Sequence, residues 1–315
     1  MTRTTSLYLA LLSALMLAGC GSLVQEVDPG RLPTATAKLV IHSYLSPQDT
    51  VLAVLVQAPQ AVIGQQQNNT SIRNVVANAV VDLSDGTQTV RLPFSVRDQL
   101  YRLPIARLPI LPGRTYTLSV SAPGFAATTA QSTVPVTVLP TGIEVDSVRS
   151  PQGQGSSVRY FSRLLWRDPV SVANFYTVSG TMRFDVTVPI FSRTNPPVVL
   201  RDTTFAGTRP LRLESGVEIL GDQSRDGQAF ISGTFADNVN YYEGPGATGI
   251  TRNKRITLTL MTLDGVYFRY QEALSRYQTA NDNPFAEPVL IPSNIQNGLG
   301  CFAALNRASI TVRLK

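Results

Sequence analysis

The sequence predicts an all-β protein, mainly strands with one helix, on three observations. Side chains alternate with period two over most of the chain beyond Lys38, turn-forming residues (22 Gly and 21 Pro) are scattered throughout, and only one stretch repeats apolar residues at helical spacing. The 315 residues are 43% hydrophobic and only 15% charged. An average globular chain carries about a quarter charged residues, so this composition excludes a disordered or coiled-coil protein and supplies a real core. At roughly 100–200 residues per domain, the length predicts two domains.

The first element is not part of the fold. A basic start at Arg3, an apolar run from Leu7 to Leu17 and then Leu17-Ala18-Gly19-Cys20 read as a secretory signal over residues 1–19, too short to span a membrane as a mature helix. Small residues followed directly by Cys resemble a bacterial lipobox, in which the thiol is acylated before cleavage. Cys20 is therefore the expected lipidation site, and residues 20–36 the tether. Acyl chains contribute roughly 0.8 kcal/mol per buried methylene, so several of them hold a protein stably on a bilayer. An ordinary signal peptide or an uncut anchor is the plainer alternative. No later window offers the ~20 uninterrupted apolar residues of a spanning helix. With Cys20 acylated, Cys301 has no partner in the chain; no disulfide framework is expected, and Cys301 reads as a small buried hydrophobe.

Alternation then spells seven short strands, near 38–44, 51–57, 75–83, 87–92, 100–103, 115–121 and 126–133. Asp85-Gly86 and Pro112-Gly113 mark turns between them. Two antiparallel sheets closing on one another over 37–138 give a β-sandwich of the immunoglobulin-like or prealbumin-like kind. The stretch 58–71 is a Gln/Asn-rich surface loop. Pro140, Pro151, Gly153 and Gly155 predict a linker over 139–156. A second β-rich domain follows over 157–315, with strands near 157–166, 174–188, 254–263 and 309–314. Its one helix, near 266–279, carries Val266, Tyr270, Ala273, Leu274 and Tyr277 as an apolar stripe.

Little in the chain carries chemistry. The formal charge of +6 comes mostly from singly scattered Arg, without a basic run interleaved with aromatics, so nucleic acid is not an expected partner. His42 is the only imidazole, and every nucleophilic triad or multi-His metal scheme would need it. Its place on a strand between Val40 and Tyr44 reads as packing, and nothing flanking His42 or Cys301 supports a nucleophilic pair. Residues 244–249 match G-x-G-x-x-G, but a strand rather than a helix follows, so the match reads as a loop. Asp222, Ser224 and Asp226, with Gly227 sixth, have calcium-loop spacing. Gly233 stands where the twelfth-position Glu is needed and Arg225 adds a positive charge, so an Asp-Gly turn is preferred to a metal site. Sequence does not place Asp168, Glu214, Asp222 or Glu287 relative to one another. No residue is assigned a catalytic role, no cofactor is expected, and the ligand is unknown.

The C-terminal stretch Asn283-Pro284-Phe285-Ala286-Glu287-Pro288-Val289, followed by Ser293-Asn294-Ile295-Gln296-Asn297-Gly298-Leu299-Gly300-Cys301-Phe302, resembles the closing signature of a Bacteroidota lipoprotein family, domain-of-unknown-function family 4249. The early strand Leu39 to Tyr44, Asn78-Ala79-Val80-Val81, Leu111 to Tyr116 and the 222–227 turn extend the resemblance over nearly the whole mature chain. Cys301, in place of an aliphatic residue, and Pro292, in place of an aromatic one, are departures that touch packing more than chemistry. The resemblance implies an envelope lipoprotein, often encoded near TonB-dependent outer-membrane receptors, with no established enzymatic activity. The expected function is a non-enzymatic accessory or binding protein beside such a receptor. A structural or adhesive surface protein is the alternative, and an envelope hydrolase using the unplaced carboxylates is a third. Gly21 after the lipid Cys agrees with outer-membrane sorting, with the periplasmic or cell-surface face undecided. The closing motif reads as architecture in preference to a binding edge.

Overall fold

Val40–Leu45 (β1) and Val51–Gln57 (β2) bury every second side chain, as period-two sequence requires, and pair antiparallel through Val40 and Gln57. The computed structural model describes residues 37–59, 74–152, 155–194, 196–216, 218–237, 241–243, 250–281, 287 and 289–314. The signal, tether and Cys20, most of the Gln/Asn-rich loop, the 244–249 loop and residues 283–286 lie outside them. Among the described residues the fold is mostly β, with one α-helix.

Val80–Ser84 (β3), Thr89–Arg91 (β4), Thr115–Ser121 (β7) and Thr128–Thr133 (β8) form a four-stranded antiparallel sheet in the order β4-β3-β7-β8. Phe94–Ser95 (β5) and Leu100–Pro104 (β6) instead join β2. The strand expected from 75 begins only at Val80. Residues 76–79 are pinned as a turn by Tyr101, whose hydroxyl donates to the Val76 carbonyl (2.6 Å) and accepts from the Ala79 N–H (2.8 Å). Tyr116 makes a similar corner, donating to the Pro109 carbonyl (2.7 Å) and accepting from the Leu111 N–H (2.9 Å). Both phenols are buried, so each ring fills the core while its hydroxyl satisfies turn backbone.

The 139–156 linker is a correction. Pro140–Gln152 (β9) and Gly155–Arg167 (β10) are two long strands paired antiparallel from Gln152/Gly155 to Pro140/Trp166. Pro140 and Pro151 are tolerated because, among the described residues, β9 pairs only with β10 and so is an edge strand. Phe175–Phe191 (β11), Val199–Leu213 (β12), Ile219–Gly221 (β13), Ala229–Ile231 (β14), Phe235–Ala236 (β15), Tyr241–Glu243 (β16) and Ile250–Leu263 (β17) follow. The helix Gly265–Asn281 (α1) comes next, and Leu299–Arg313 (β18) ends the fold. On α1, Ala273 is buried and Val266, Tyr270 and Leu274 are half-buried, but Tyr277 is exposed.

A single large sheet runs β14-β10-β15-β12-β11-β17-β18-β1-β2-β6-β5, with β13 on β11 and β9 and β16 on β10. Short β15 pairs with both β10 and β12 and brings the β9–β10 hairpin over the β11–β17 surface. Between them lies one core, with Tyr160, Leu164 and Trp166 from β10 meeting Tyr176, Met182 and Phe184 from β11 and Ile256, Leu258 and Leu260 from β17. The other core sets Leu39, Ile41, Val54 and Val56 against Val81, Leu83, Tyr116, Leu118 and Val120 of the four-stranded sheet. It also takes in Phe302 and Ala304 of β18. Strand β18 therefore serves both cores, antiparallel to β17 and parallel to β1, and the described residues from 38 onward form one compact unit.

Candidate functional site

The residues singled out by sequence fall into three places. At the first, the β10–β11 connection meets the turn between β13 and β14, and Asp168, Asp222 and Asp226 converge, offering carboxylate oxygens within 4.8 Å of one another. The calcium-loop spacing that the sequence analysis set aside in favour of an Asp-Gly turn joins Ser224 to Asp222 and Asp226; Ser224 is exposed, and the third converging carboxylate is Asp168. Asp168 is one of the acids the sequence leaves unplaced: it lies 54 positions before Asp222, and no local pattern joins the two.

Asp168 and Asp222 are only 3% and 4% exposed, and each carboxylate is already engaged. Asp168 accepts from the Tyr176 hydroxyl (2.5 Å) and from the Gly227 N–H (2.9 Å). Asp222 accepts from the Asn174 N–H (2.7 Å), and Asp226 from the Ser171 N–H (2.9 Å). Arg225 is turned onto Phe230, its guanidinium carbon 4.0 Å from the ring centroid, and donates to the Ala229 carbonyl. Burial, then the Asp168 hydrogen bond and the charges of Asp168 and Asp222, push the Tyr176 phenol above its ordinary range. Gly227 is required at this junction: its φ is +69°, and a Cβ would lie 2.4 Å from Val170 Cγ1. Three carboxylates so close are the donor type for a hard cation. What the hydrogen bonds themselves accomplish is a latch holding 168–174 against 222–227. Asp168→Ala, which leaves a buried phenol and a buried N–H without an acceptor, is expected to cost about 2–4 kcal/mol in urea unfolding. A loss under about 0.5 kcal/mol would remove the latch. The other acids stand apart: Glu214 pairs with Arg159 at 3.4 Å, and Glu287 is exposed.

At the second place His42 and Cys301 come together. They face each other in the β1–β18 parallel register, beneath α1. His42 Nε2 lies 3.0 Å from the Tyr270 hydroxyl, and Tyr44 packs edge-on against Tyr267 with centroids 5.0 Å apart. Cys301 is 0% exposed, and burial, then the Asp264 charge, push its thiol up to about 12. At neutral pH it is a thiol, not a thiolate, so this pair is not armed for nucleophilic attack. Burial lowers the His42 pKa, so the folded state favours the neutral ring. That contribution is present above the ordinary His pKa of about 6.5 and is lost as pH falls through the lowered folded value. His42→Phe is accordingly expected to flatten the decline of Tm between pH 7 and pH 5. An unchanged slope contradicts this assignment.

The third place is the closing motif. Asn294 donates to the Gln131 (3.1 Å) and Phe302 (2.7 Å) carbonyls and accepts from the Phe302 N–H (3.0 Å). Gln296 donates its backbone N–H to the Thr129 carbonyl and accepts from the Thr129 hydroxyl. Residues 294–297 thus cover the free edge of β8 and lead into β18. Gly300, at φ +109°, passes so close to β1 that a Cβ would sit 2.0 Å from the Ile41 oxygen. These described residues are architecture, committed to backbone.

A family model described as Domain of unknown function (DUF4249) matches residues 25–311. The chain belongs to this family. The DUF4249 match takes in both cores, the aspartate latch and the closing motif. A search of the curated proteins finds no match. Among the described residues no helix is long and apolar enough to cross a membrane.

Proposed function

We propose that this DUF4249 chain is a lipid-anchored cell-envelope protein, held on the outer membrane by acyl chains at Cys20. In this reading it acts as a non-enzymatic accessory or binding component beside a TonB-dependent transporter. The observation that carries the reading is the sequence Leu17-Ala18-Gly19-Cys20 directly after the apolar run from Leu7 to Leu17. Two structural observations support the non-enzymatic part. Cys301 is buried as a protonated thiol beside His42, and each converging aspartate accepts a hydrogen bond from a backbone or phenol donor. The TonB association rests on the sequence resemblance alone.

Labelled palmitate fed to cells making the protein tests the anchor. Label is expected in the wild-type chain and in the outer-membrane fraction, with both lost in Cys20→Ala. Unlabelled wild-type protein in the soluble envelope fraction would refute the anchored reading.

A further inference from the structure

Among the described residues, the β11–β12 hairpin runs on past its last pairing with β17. The described part of β17 pairs with β11 from Leu263/Phe175 to Ile250/Thr187, whereas β11 and β12 remain paired to Phe191/Val199. Among the described residues the end beyond Thr187 pairs only with itself, and at ~3.3 Å per residue it extends about 13 Å further. The turn is held by the Ser192 N–H on the Val198 carbonyl (2.7 Å) and the Val198 N–H on the Ser192 hydroxyl (2.9 Å). The described residues of this end are apolar where strand tips are ordinarily polar: Phe191 is 52% exposed, Val198 59%, Val199 51% and Leu200 65%. Clustered exposure of this kind marks a contact surface.

We propose that this hairpin end inserts into the headgroup region of an anionic phospholipid surface. The shape argues for lipid: a two-stranded tip is convex and offers no groove for a peptide or helix, but is suited to a soft apolar medium. The charges agree. Exposed Arg193 and Arg201 flank the apolar residues with only Asp202 between strands to offset them. Guanidinium groups beside an apolar tip reach the phosphates while the tip enters the acyl boundary, typically by about 5–10 Å, within the hairpin's reach. The inference deepens the anchored reading and rests on it: acyl chains at Cys20 would hold the protein at the surface, and the tip would fix its orientation there.

The test uses acylated full-length protein on vesicles of phosphatidylethanolamine and phosphatidylglycerol with brominated acyl chains. Trp166, the sole Trp, is 1% exposed and supplies a constant background for an added reporter. Phe191→Trp emission is expected to fall at least about two-fold on brominated relative to plain vesicles. Val96→Trp, at a 75% exposed site on the loop between β5 and β6, is expected to stay unchanged. Protein that floats with the vesicles but is unquenched at position 191 overturns the insertion while leaving the anchor standing. Protein that neither carries acyl chains nor floats overturns both. Equal quenching at both positions, or a vesicle-independent blue shift that grows with protein concentration and assigns the tip to a second copy, also overturns it.

Discussion

Gly300→Ala is expected to cost more than about 4 kcal/mol and to leave most of the chain insoluble or unfolded at 37 °C. Two independent penalties add at this position. A side chain at φ +109° is strained whatever the space, and the new Cβ would lie 2.0 Å from the Ile41 oxygen, which is backbone and cannot rotate away. The clash also falls where it does most harm. Ile41 pairs with Gly300 in the β1–β18 ladder, the only parallel one among the described residues. Relief requires β1 and β18 to separate, exposing Phe302, Ala304 and Ile41 from one core. Gly298→Ala meets Ile295 Cγ2 at 2.7 Å and the Leu39 oxygen at 3.1 Å and is expected to cost less, because a side chain can give way. Urea unfolding of both variants, or their soluble yield where folding fails, checks the order. A Gly300→Ala protein of wild-type stability would show that β18 does not pass β1 this closely.

The second large effect is expected at Asp264, the residue before α1. Its Oδ1 accepts from the Tyr267 N–H (2.7 Å), the N-cap bond of the helix. Its Oδ2 accepts from the Ser132 hydroxyl (2.5 Å) and the Ala304 N–H (3.0 Å), joining β8 and β18 to α1. Burial raises the carboxyl above its ordinary pKa in spite of these donors. Asp264→Ala removes the cap, worth about 1 kcal/mol, and leaves two further donors without an acceptor at about 1–3 kcal/mol each, for a total of about 3–7 kcal/mol. Asp264→Asn keeps the acceptor geometry at one oxygen and is expected to lose less than half of that. Calorimetric Tm values for the pair test the assignment; equal losses would make the charge, not the hydrogen bonds, the important part.

Legibility in the sequence follows how each strand is covered. Strand β7 is readable to the residue because Tyr116, Leu118 and Val120 face the core and the alternate side chains are exposed or half-buried. Strand β18 is not. Residues 301–306 are all buried, since the strand is central with both faces covered, and period two disappears. Only its solvated end, near 309–314, was visible as a strand. The β9–β10 hairpin was hidden by prolines that an edge strand tolerates. The parallel pairing of β1 with β18 joins segments some 260 residues apart, and no local pattern encodes it. The site divides in the same way. The 222–227 turn was legible as a local Asp-Gly pattern, but its partner Asp168 was not, and the role of His42 as a packed side chain followed from its apolar strand neighbours.

Crosslinking in intact native cells, followed by purification on a tag at Lys315 and mass spectrometry of what is retained, tests the functional account most directly. Protease shaving of the same cells locates the protein. The account predicts a TonB-dependent receptor recovered at near-stoichiometric yield with the acylated chain. Recovery of acylated protein with no receptor, shaved from the cell surface, would contradict the accessory role and favour an adhesive or structural one.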